Sequence, residues 1–404
     1  MDSEHTLPYD TVIEIYDDEQ IYNVLAVTEF KPQNAVYIGT RKLKSKRVKN
    51  SIITCLRSLG LNTKCFFYST DMLSLESVIA ELTHILSLFD NCLIDLTGGS
   101  EVALVAVGML AREKNIPLLR YDRYERCYRD IYNCPIAEDV KSDPHFNVPS
   151  LLALAGGVMK EHGHVSLDTL DNETETDIFR VWEIFKRRHR TWHRLVAFLQ
   201  QAVKRQSDAG GDELDHISVP SVIYSGDKLV NCDIQLMREL AGAGIIQDFT
   251  EKGGTLGFRF KSHLMRSCLI DTGICLELYV FAEALRSGCY DDVKLSVVVD
   301  WDGDLSQRIN TINEIDVMLT RCQIPVFISC KSGTPNVVAL NEIKTLAKQF
   351  GQANGRPVLV TMADVRGRDE YLTQRAEDMG ITIIDRGDLV NDRLNKRLLA
   401  ASKL

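Results

Sequence analysis

The residues Asn313-Glu314-Ile315-Asp316-Val317 and Phe327-Ile328-Ser329-Cys330-Lys331 hold the most informative chemistry in the chain. Both segments read as strands, and strand side chains alternate, so Glu314 and Asp316 should share one face, with Ile315 and Val317 on the other. By the same rule Ser329 and Lys331 share a face, while Ile328 and Cys330 turn to an apolar layer. Pairing the two strands would bring two carboxylates close to one lysine. Carboxylate oxygens suit a hard divalent cation, which can activate a water and offset charge on a phosphate in transfer. Glu277, in the helix-length stretch CLELYVFAEAL, is a third carboxylate that could complete such a site. The same spacing also fits two amphipathic strands with a surface lysine.

A second constellation is Asp95-Leu96-Thr97-Gly98-Gly99-Ser100, where a β-rich run ends and a helical one begins. Ligands of open parallel sheets bind at the carboxyl ends of strands. Paired glycines let a ligand approach the backbone, and a helix N-terminus favours anions. An ordinary tight turn would look the same. Gly39-Thr40 ends another strand and leads into Arg41, Lys42, Lys44, Lys46, Arg47 and Lys49, six cations in nine residues, at the same sheet edge. Such a run suits a polyanionic ligand or a solvated helix face. Asp17 and Asp18 follow the first strand as helix caps, and Gln20 could contact a base. The candidate ligand residues are therefore Gln20, Gly39, Thr40, Arg41, Lys42, Thr97, Gly98, Gly99 and Ser100.

The elements that must position these residues divide the chain in three, as 404 residues at about 150 per domain would suggest. Over 1–150, β-rich runs at 11–16, 34–40, 62–69, 92–97 and 116–122 alternate with amphipathic helical segments. That alternation predicts βαβ units and a parallel sheet with covered faces. Over 151–262, an acidic stretch leads into a basic helix, a polar linker, a helix near Asn231–Leu240, and two strands around Gly253–Gly254. Helix plus hairpin fits a winged helix, a helical spacer or a dimerisation unit. Over 263–404 come a helix at about 271–287, strands at 296–302, 312–320 and 324–331, a helix at 336–350 and a strand at 356–363, a second α/β domain.

Composition bounds the partners. Hydrophobic residues are 45%, charged residues 25%, and the net charge is −9, the mix of a globular protein with no basic domain to coat nucleic acid. The apolar stretch around Val102–Ala111 is far short of the roughly 20 residues a spanning helix needs. The first residues, MDSEHTLPYD, lack the basic and apolar regions of a signal peptide. None of the 11 cysteines forms a CxxC pair. Reduced thiols and a cytoplasmic location are expected, with no membrane partner. His162 with His164 and His189 with His193 could suggest a metal, but the second pair lies among Lys186, Arg187, Arg188, Arg190 and Arg194. That stretch reads as a basic helix face which, with Trp182 and Trp192, could contact a nucleic-acid backbone.

The first domain resembles the CRISPR-associated Rossmann fold, the CARF ligand sensor, in which a strand-end D-x-T-G-G-T-K motif lines a dimer-interface pocket for cyclic oligoadenylate. Here the motif is DLTGGSE, with Ser100 for the second threonine and Glu101 for the lysine; Arg41 or Lys42 could replace that cation. Residues 263–404 resemble the PD-(D/E)xK nuclease core: Asp316 and Lys331 match its metal-binding acid and its lysine, and Glu277 matches the helix acid. The acid usual two residues before the lysine is Ser329, and Glu314 is the candidate to compensate. Joined in one chain, the two parts resemble the cyclic-oligoadenylate-activated effector nucleases of type III CRISPR defence. The resemblance implies a homodimer that binds cyclic tetra- or hexa-adenylate and cleaves DNA and/or RNA. It implies Mg²⁺ or Mn²⁺ on Glu277, Glu314 and Asp316, with Ser329 and Lys331 completing the catalytic set. The alternatives are a non-catalytic, ligand-responsive nucleic-acid-binding regulator with a degenerate nuclease domain, and a ring nuclease that degrades its own messenger.

Overall fold

The computed structural model describes residues 9–134, 142–160, 167, 169–208, 210–212, 214–225, 228–301 and 312–403. The first domain runs β1 (Thr11–Ile15), α1 (Leu25–Phe30), β2 (Asn34–Gly39), α2 (Lys46–Ser58), β3 (Lys64–Ser69), α3 (Leu75–Leu88), β4 (Cys92–Asp95), α4 (Glu101–Lys114), β5 (Leu118–Asp122) and β6 (Cys127–Tyr132). Its sheet has the order β3-β2-β1-β4-β5-β6, parallel except for the antiparallel edge strand β6. Every residue of β1 is buried, as a central parallel strand with both faces covered requires. Val12, Ala35 and Tyr37 pack with α1 and α2, and Ile13, Val36 and Ile94 with α3 and α4. The strand order reverses between β1 and β4, so the turns after these two strands flank the crevice where such sheets bind ligands.

Helix α5 (Val148–Leu154) follows, capped by Asn147, whose side chain accepts the Ser150 N–H at 2.8 Å. Leu151 and Leu154 pack into the first domain, while Val148 and Leu152 pack into the last. The boundary expected at residue 150 thus lies inside a helix that both cores share.

The middle segment comprises β7 (Val158–Lys160), α6 (Asn172–Asp208), β8 (Ile217–Pro220), β9 (Val222–Ser225), β10 (Lys228–Asn231), α7 (Ile234–Gly242), β11 (Ile246–Lys252), β12 (Thr255–Phe260) and α8 (His263–Ile270). The hairpin β11–β12 turns at Gly253 and Gly254, both at positive φ, and β8 adds a third strand. Helix α6 buries Ile178, Val181, Trp182, Phe185, Trp192, Leu195, Val196 and Leu199, an apolar stripe at helical spacing. Trp182 stacks on Tyr279 with centroids 3.8 Å apart, and Trp192 meets Phe185 edge-on at 5.2 Å. Both tryptophans are 1% exposed. Their expected contact with a nucleic-acid backbone is therefore corrected: they lie on the apolar stripe of α6, with Phe185 and Phe198, and fill the core.

The last domain runs α9 (Ile274–Ser287), β13 (Asp292–Asp300), β14 (Ile312–Arg321), β15 (Ile324–Lys331), α10 (Val337–Gly351), β16 (Arg356–Thr361), α11 (Glu370–Asp378), β17 (Thr382–Ile384), α12 (Arg386–Leu389) and α13 (Leu394–Ala401). Its sheet has the order β17-β16-β15-β14-β13-β7, so β7 reaches across to extend it. Helices α6, α9 and α13 cover one face, and α5, α10 and α11 the other. Removing the stacked ring with Trp182→Ala should cost about 3–5 kcal/mol of stability. Trp182→Phe should lose distinctly less, and chemical denaturation of both variants tests the stack.

Candidate functional site

The β13–β14 ladder pairs Leu295 with Val317 and Val297 with Ile315, but between them Ser296, opposite Asp316, sits at φ 52°. That left-handed residue breaks the alternation. Ile315 packs with Val297 and Phe327, whereas Val317 packs with Val326 and Ile328 in the other layer. The expectation that Ile315 and Val317 share one face, with Glu314 and Asp316 together on the other, is corrected accordingly: the strand turns over at Asp316. Ile328 and Cys330 do share an apolar layer, as expected.

The β14–β15 ladder ends at Val317 and Ile328, while β15 stays paired to β16 as far as Lys331 and Thr361. The strands therefore fork at Asp316, and its carboxylate fills the fork. Asp316 Oδ2 accepts the Cys330 N–H at 2.6 Å and the Ser329 hydroxyl at 3.3 Å, with Lys331 Nζ 3.6 Å away. Glu314 accepts a hydrogen bond from the Ser296 hydroxyl. From the first turn of α9, Glu277 completes the group. Burial first, then the charges of Asp316, Asp271 and Glu314, push its carboxyl up to about 8, with Lys331 pulling the other way.

Glu277, Glu314, Asp316, Ser329 and Lys331 are thus brought together, and one residue is added that the sequence did not suggest. Asp271 ends α8 and accepts the Gly273 N–H at 2.7 Å. Its signal was an Asp-Thr-Gly before a helix, which looks like any capping turn. Gly273 leaves room for the cluster, since a Cβ there would lie 2.9 Å from Glu277 Oε1. Carboxylates crowded around a half-buried acid, with a single lysine against them, suit a hard cation with oxygen ligands. A different group, His145, Asp291 and Cys322, also has its ligand atoms within 4.8 Å of one another. It lies at the closed end of the β14–β15 hairpin, where the Arg126 guanidinium stands 3.3 Å from Cys322 Sγ.

At the carboxyl edge of the first sheet, Asp95 is fully buried, and its Oδ1 accepts the Thr97 N–H at 2.8 Å and the Thr97 hydroxyl at 2.5 Å. Thr97 Oγ1 in turn accepts the Tyr121 N–H at 2.9 Å, so this hydroxyl is engaged in holding the turn. Glu14, the register neighbour of Asp95 on β1, is buried beside it. Desolvation and the neighbouring carboxyl raise Glu14 well above the carboxylate range, and burial raises Asp95 as well. Burial and mutual repulsion therefore disfavour ionising both carboxyls of this pair at once.

The two glycines answer first to packing. Cβ atoms on them would lie 2.7 Å from Asp17 Cβ, at Gly98, and 2.4 Å from Ile15 Cγ2, at Gly99, which also has φ 106°. The Gly99 N–H donates to Asp17 Oδ2 at 3.0 Å. Ser100 caps α4 and donates to the Met72 carbonyl at 3.4 Å. Gly39 lies against Tyr16, Thr40 caps the turn at Arg41–Lys44, and Lys42 pairs with Asp18 at 2.6 Å. Gln20 turns its amide inward to Tyr16 Oη at 2.8 Å. Thr97–Ser100, Gly39–Lys42 and Gln20 therefore lie on one sheet edge, tied together through Asp17, Asp18 and Tyr16. Arg41 is exposed there.

No family model matches the sequence, and no curated protein matches it. Solved structures match its fold. Can2 from Sulfobacillus thermosulfidooxidans, in complex with cyclic tetra-adenylate, aligns over 98% of this chain and 100% of its own with a TM-score of 0.65 and 17% identity. Protein VC1899 from Vibrio cholerae aligns over 97% and 98%, with a TM-score of 0.70 and 16% identity. A type III CRISPR defence DNA nuclease activated by cyclic oligoadenylate aligns over 89% of this chain and 47% of its own, at a TM-score of 0.44 and 13% identity, too distant to bear on the fold. The α/β architecture expected from the sequence, with a Rossmann-like first domain and a mixed-sheet last domain, is the architecture of this chain, and Can2 and VC1899 share it from end to end.

Two pH effects follow from the buried carboxyls. Glu277 must lose its proton to hold a cation, so Mn²⁺ affinity should rise about tenfold per pH unit toward about pH 8 and then level off. Calorimetric titrations should show that rise flattened in Glu277→Gln. The Glu14–Asp95 pair binds protons more tightly folded than unfolded. Its contribution to stability is therefore complete below the unfolded carboxyl range and is lost as pH rises through the folded values. Glu14→Gln should consequently be more stable than the parent at pH 8, by about 1–3 kcal/mol, and no more stable at pH 4. Urea unfolding that gives parallel pH curves for the two proteins would contradict the raised carboxyl pair.

Proposed function

We propose that this chain is a cyclic-oligoadenylate-activated, metal-dependent endonuclease of DNA and/or RNA, acting as a homodimer in the cytoplasm. The observation that carries the reading is the hydrogen-bonded link from the Thr97–Ser100 turn to the last domain, whose sheet carries the carboxylate cluster. Asp17 accepts the Gly99 N–H, and three residues on the Gln20 N–H donates to Gln352 Oε1 at 3.3 Å. Arg123 donates to Asn354 Oδ1 at 3.4 Å beside it. Gln352–Asn354 is the turn that ends α10, the helix packed on β15, the strand that ends at Lys331. A ligand that shifts the first turn would thus press on the second domain through a short hydrogen-bonded path. Can2, of like fold, binds cyclic tetra-adenylate, which supports the choice of ligand.

Homodimerisation is supported by α4, which starts at the Gly98–Gly99 turn and exposes Val105 (57%) and Met109 (54%) one turn apart. A two-fold axis through such a stripe would set two ligand turns face to face, the isologous contact that a symmetric ring needs. In the last domain Glu277 and Asp316, with Glu314 and Asp271 beside them, would hold Mg²⁺ or Mn²⁺. The ion would supply a Lewis acid and a water acidic enough to attack at neutral pH. Lys331 would offset charge on the phosphate, and the Ser329 hydroxyl keeps the Asp316 carboxylate oriented.

Ser329 also favours a second reading, a ligand-responsive regulator that binds nucleic acid without cutting it, since a hydroxyl is a poor ligand for a hard cation. Plasmid and RNA cleavage with and without cyclic tetra- or hexa-adenylate separates the two. The nuclease reading expects cleavage that needs both the ring and Mn²⁺ or Mg²⁺ and falls at least about a hundredfold in Asp316→Asn or Lys331→Ala. Undiminished cleavage by the double variant sinks it, and ring-dependent binding without cleavage selects the regulator.

A further inference from the structure

The basic run of α6 is mostly neutralised by its own surroundings. Lys186 pairs with Glu183 at 2.6 Å, and Arg187 and Arg188 both reach Glu239. Arg190 is exposed, and among the described residues it forms no ion pair. It lines a cavity of about 390 Å³ between α6 and the last domain, together with His189, Gly333, Arg368 and Arg386. The volume falls within the range of ligand sites, about 300–1,000 Å³. Nothing in the candidate cleavage site accounts for this cavity.

Its position is specific. Ser332–Thr334 continue directly from Lys331, and Met362–Val365 continue from β16, so the cavity lies at the carboxyl ends of two parallel strands. The Met362 N–H donates to the Lys331 carbonyl at 3.2 Å, and the Thr361 hydroxyl to the Gly333 carbonyl at 2.9 Å, fixing one wall to the catalytic strand. The acids that face the cavity are already engaged. Asp364 pairs with Arg368 at 3.2 Å, and Asp369 caps α11 through the Leu372 N–H at 2.9 Å. Arg386, by contrast, has its Nε buried with no hydrogen-bond partner, and it forms no ion pair among the described residues. His189, between the two arginines, is pushed down by burial first, then by Arg386, and also by Arg190. Two guanidinium groups with no ion pair among the described residues thus line one cavity beside the segment that follows Lys331.

We propose that Arg190 and Arg386 form a phosphate-binding subsite for the nucleic-acid strand, holding backbone phosphate beside the bond to be cut. This rests on the nuclease reading above and adds to it where the flanking strand is held. Guanidinium forks match phosphate oxygens in pairs and read no base, so the subsite gives affinity without sequence preference. The charge run on α6 then contributes at this cavity through Arg190 rather than along its whole face.

The test uses the full-length Asp316→Asn protein with Ca²⁺ and cyclic tetra-adenylate, so that substrate persists. Fluorescence anisotropy follows end-labelled single-stranded and duplex DNA and RNA across a salt series. Adding Arg190→Ala and Arg386→Ala should weaken binding about tenfold or more and reduce the slope of log K against log salt by about one to two. The corresponding Lys variants should recover most of the affinity, which a folding defect would not allow, and cyclic tetra-adenylate affinity should not change. If the Asp316→Asn parent binds nucleic acid and the alanine variant binds equally well with the same slope, the subsite is wrong and the nuclease reading stands. If the parent binds no nucleic acid in any form, both fall together.

Discussion

Repulsion among the carboxylates around Glu277 is the constraint on which the last domain is built. Glu277, Asp316, Asp271 and Glu314 press on one another, and Lys331 is the cation set against them. Such a cluster costs free energy in the empty protein, because burial and like charges both disfavour ionisation. The surrounding fold meets that cost locally. The β14–β15 ladder opens at Asp316 so that a backbone N–H can turn inward to its carboxylate, and Ser296 takes a left-handed backbone that brings its hydroxyl to Glu314. Glu277 holds a proton at neutral pH. A divalent cation would remove the repulsion and the proton together, so metal binding and the local order of the fork are one equilibrium.

The first domain uses the same device for a different end. Glu14 and Asp95 are also crowded carboxyls, both raised by burial, and Asp95 is held by the two hydrogen bonds it accepts from Thr97. A turn fixed from below by a buried acid pair, and from the side by Asp17 on Gly99, is rigid, so a displacement imposed on it is transmitted rather than absorbed. The receiving parts are α5, which is packed into both cores, and the Gln352–Asn354 turn, where Gln352 has φ 49°. Both pack against the sheet that carries Asp316 and Lys331, so the two cores are joined through them.

Much of this was legible in the sequence, for identifiable reasons. The strands of the first sheet are continuous apolar runs bounded by turns, and Asp95–Ser100 carries its own signature. The placement of Asp316 and Lys331 on neighbouring strands was legible from the strand runs, and their match to one site from the resemblance to the nuclease core. What failed was a uniform period of two along β14, since Ser296, eighteen residues before Glu314, sets the turnover, and no local pattern reveals a single left-handed serine. Trp182 and Trp192 were misplaced because neighbouring arginines suggested a surface, while the helical stripe that buries them is spread over 37 residues. Asp271 and Glu14 were missed because their roles depend on what lies across a helix junction or an adjacent strand. The glycines at 98 and 99 were recognised, yet their reason is the end of β1 as much as any ligand.

The net charge of −9 sharpens how such a protein could engage a polyanion. Long-range attraction scales with net charge and would disfavour approach of DNA or RNA. Affinity must then come from cations within a few ångströms of the strand, where screening by salt at a Debye length of about 8 Å leaves them effective. Three cations of α6, Lys186, Arg187 and Arg188, are paired with Glu183 and Glu239, so they add little to encounter. Arg190 and Arg386 keep their charge available at a cavity walled by α6 on one side and, on the other, the segments that continue from Lys331 and Thr361. Because those two walls belong to separate elements, the spacing of the arginines depends on how the domains sit. An acidic chain arranged in this way would bind its polymer weakly at rest, and a small movement of α6 against β15 and β16 would suffice to change that.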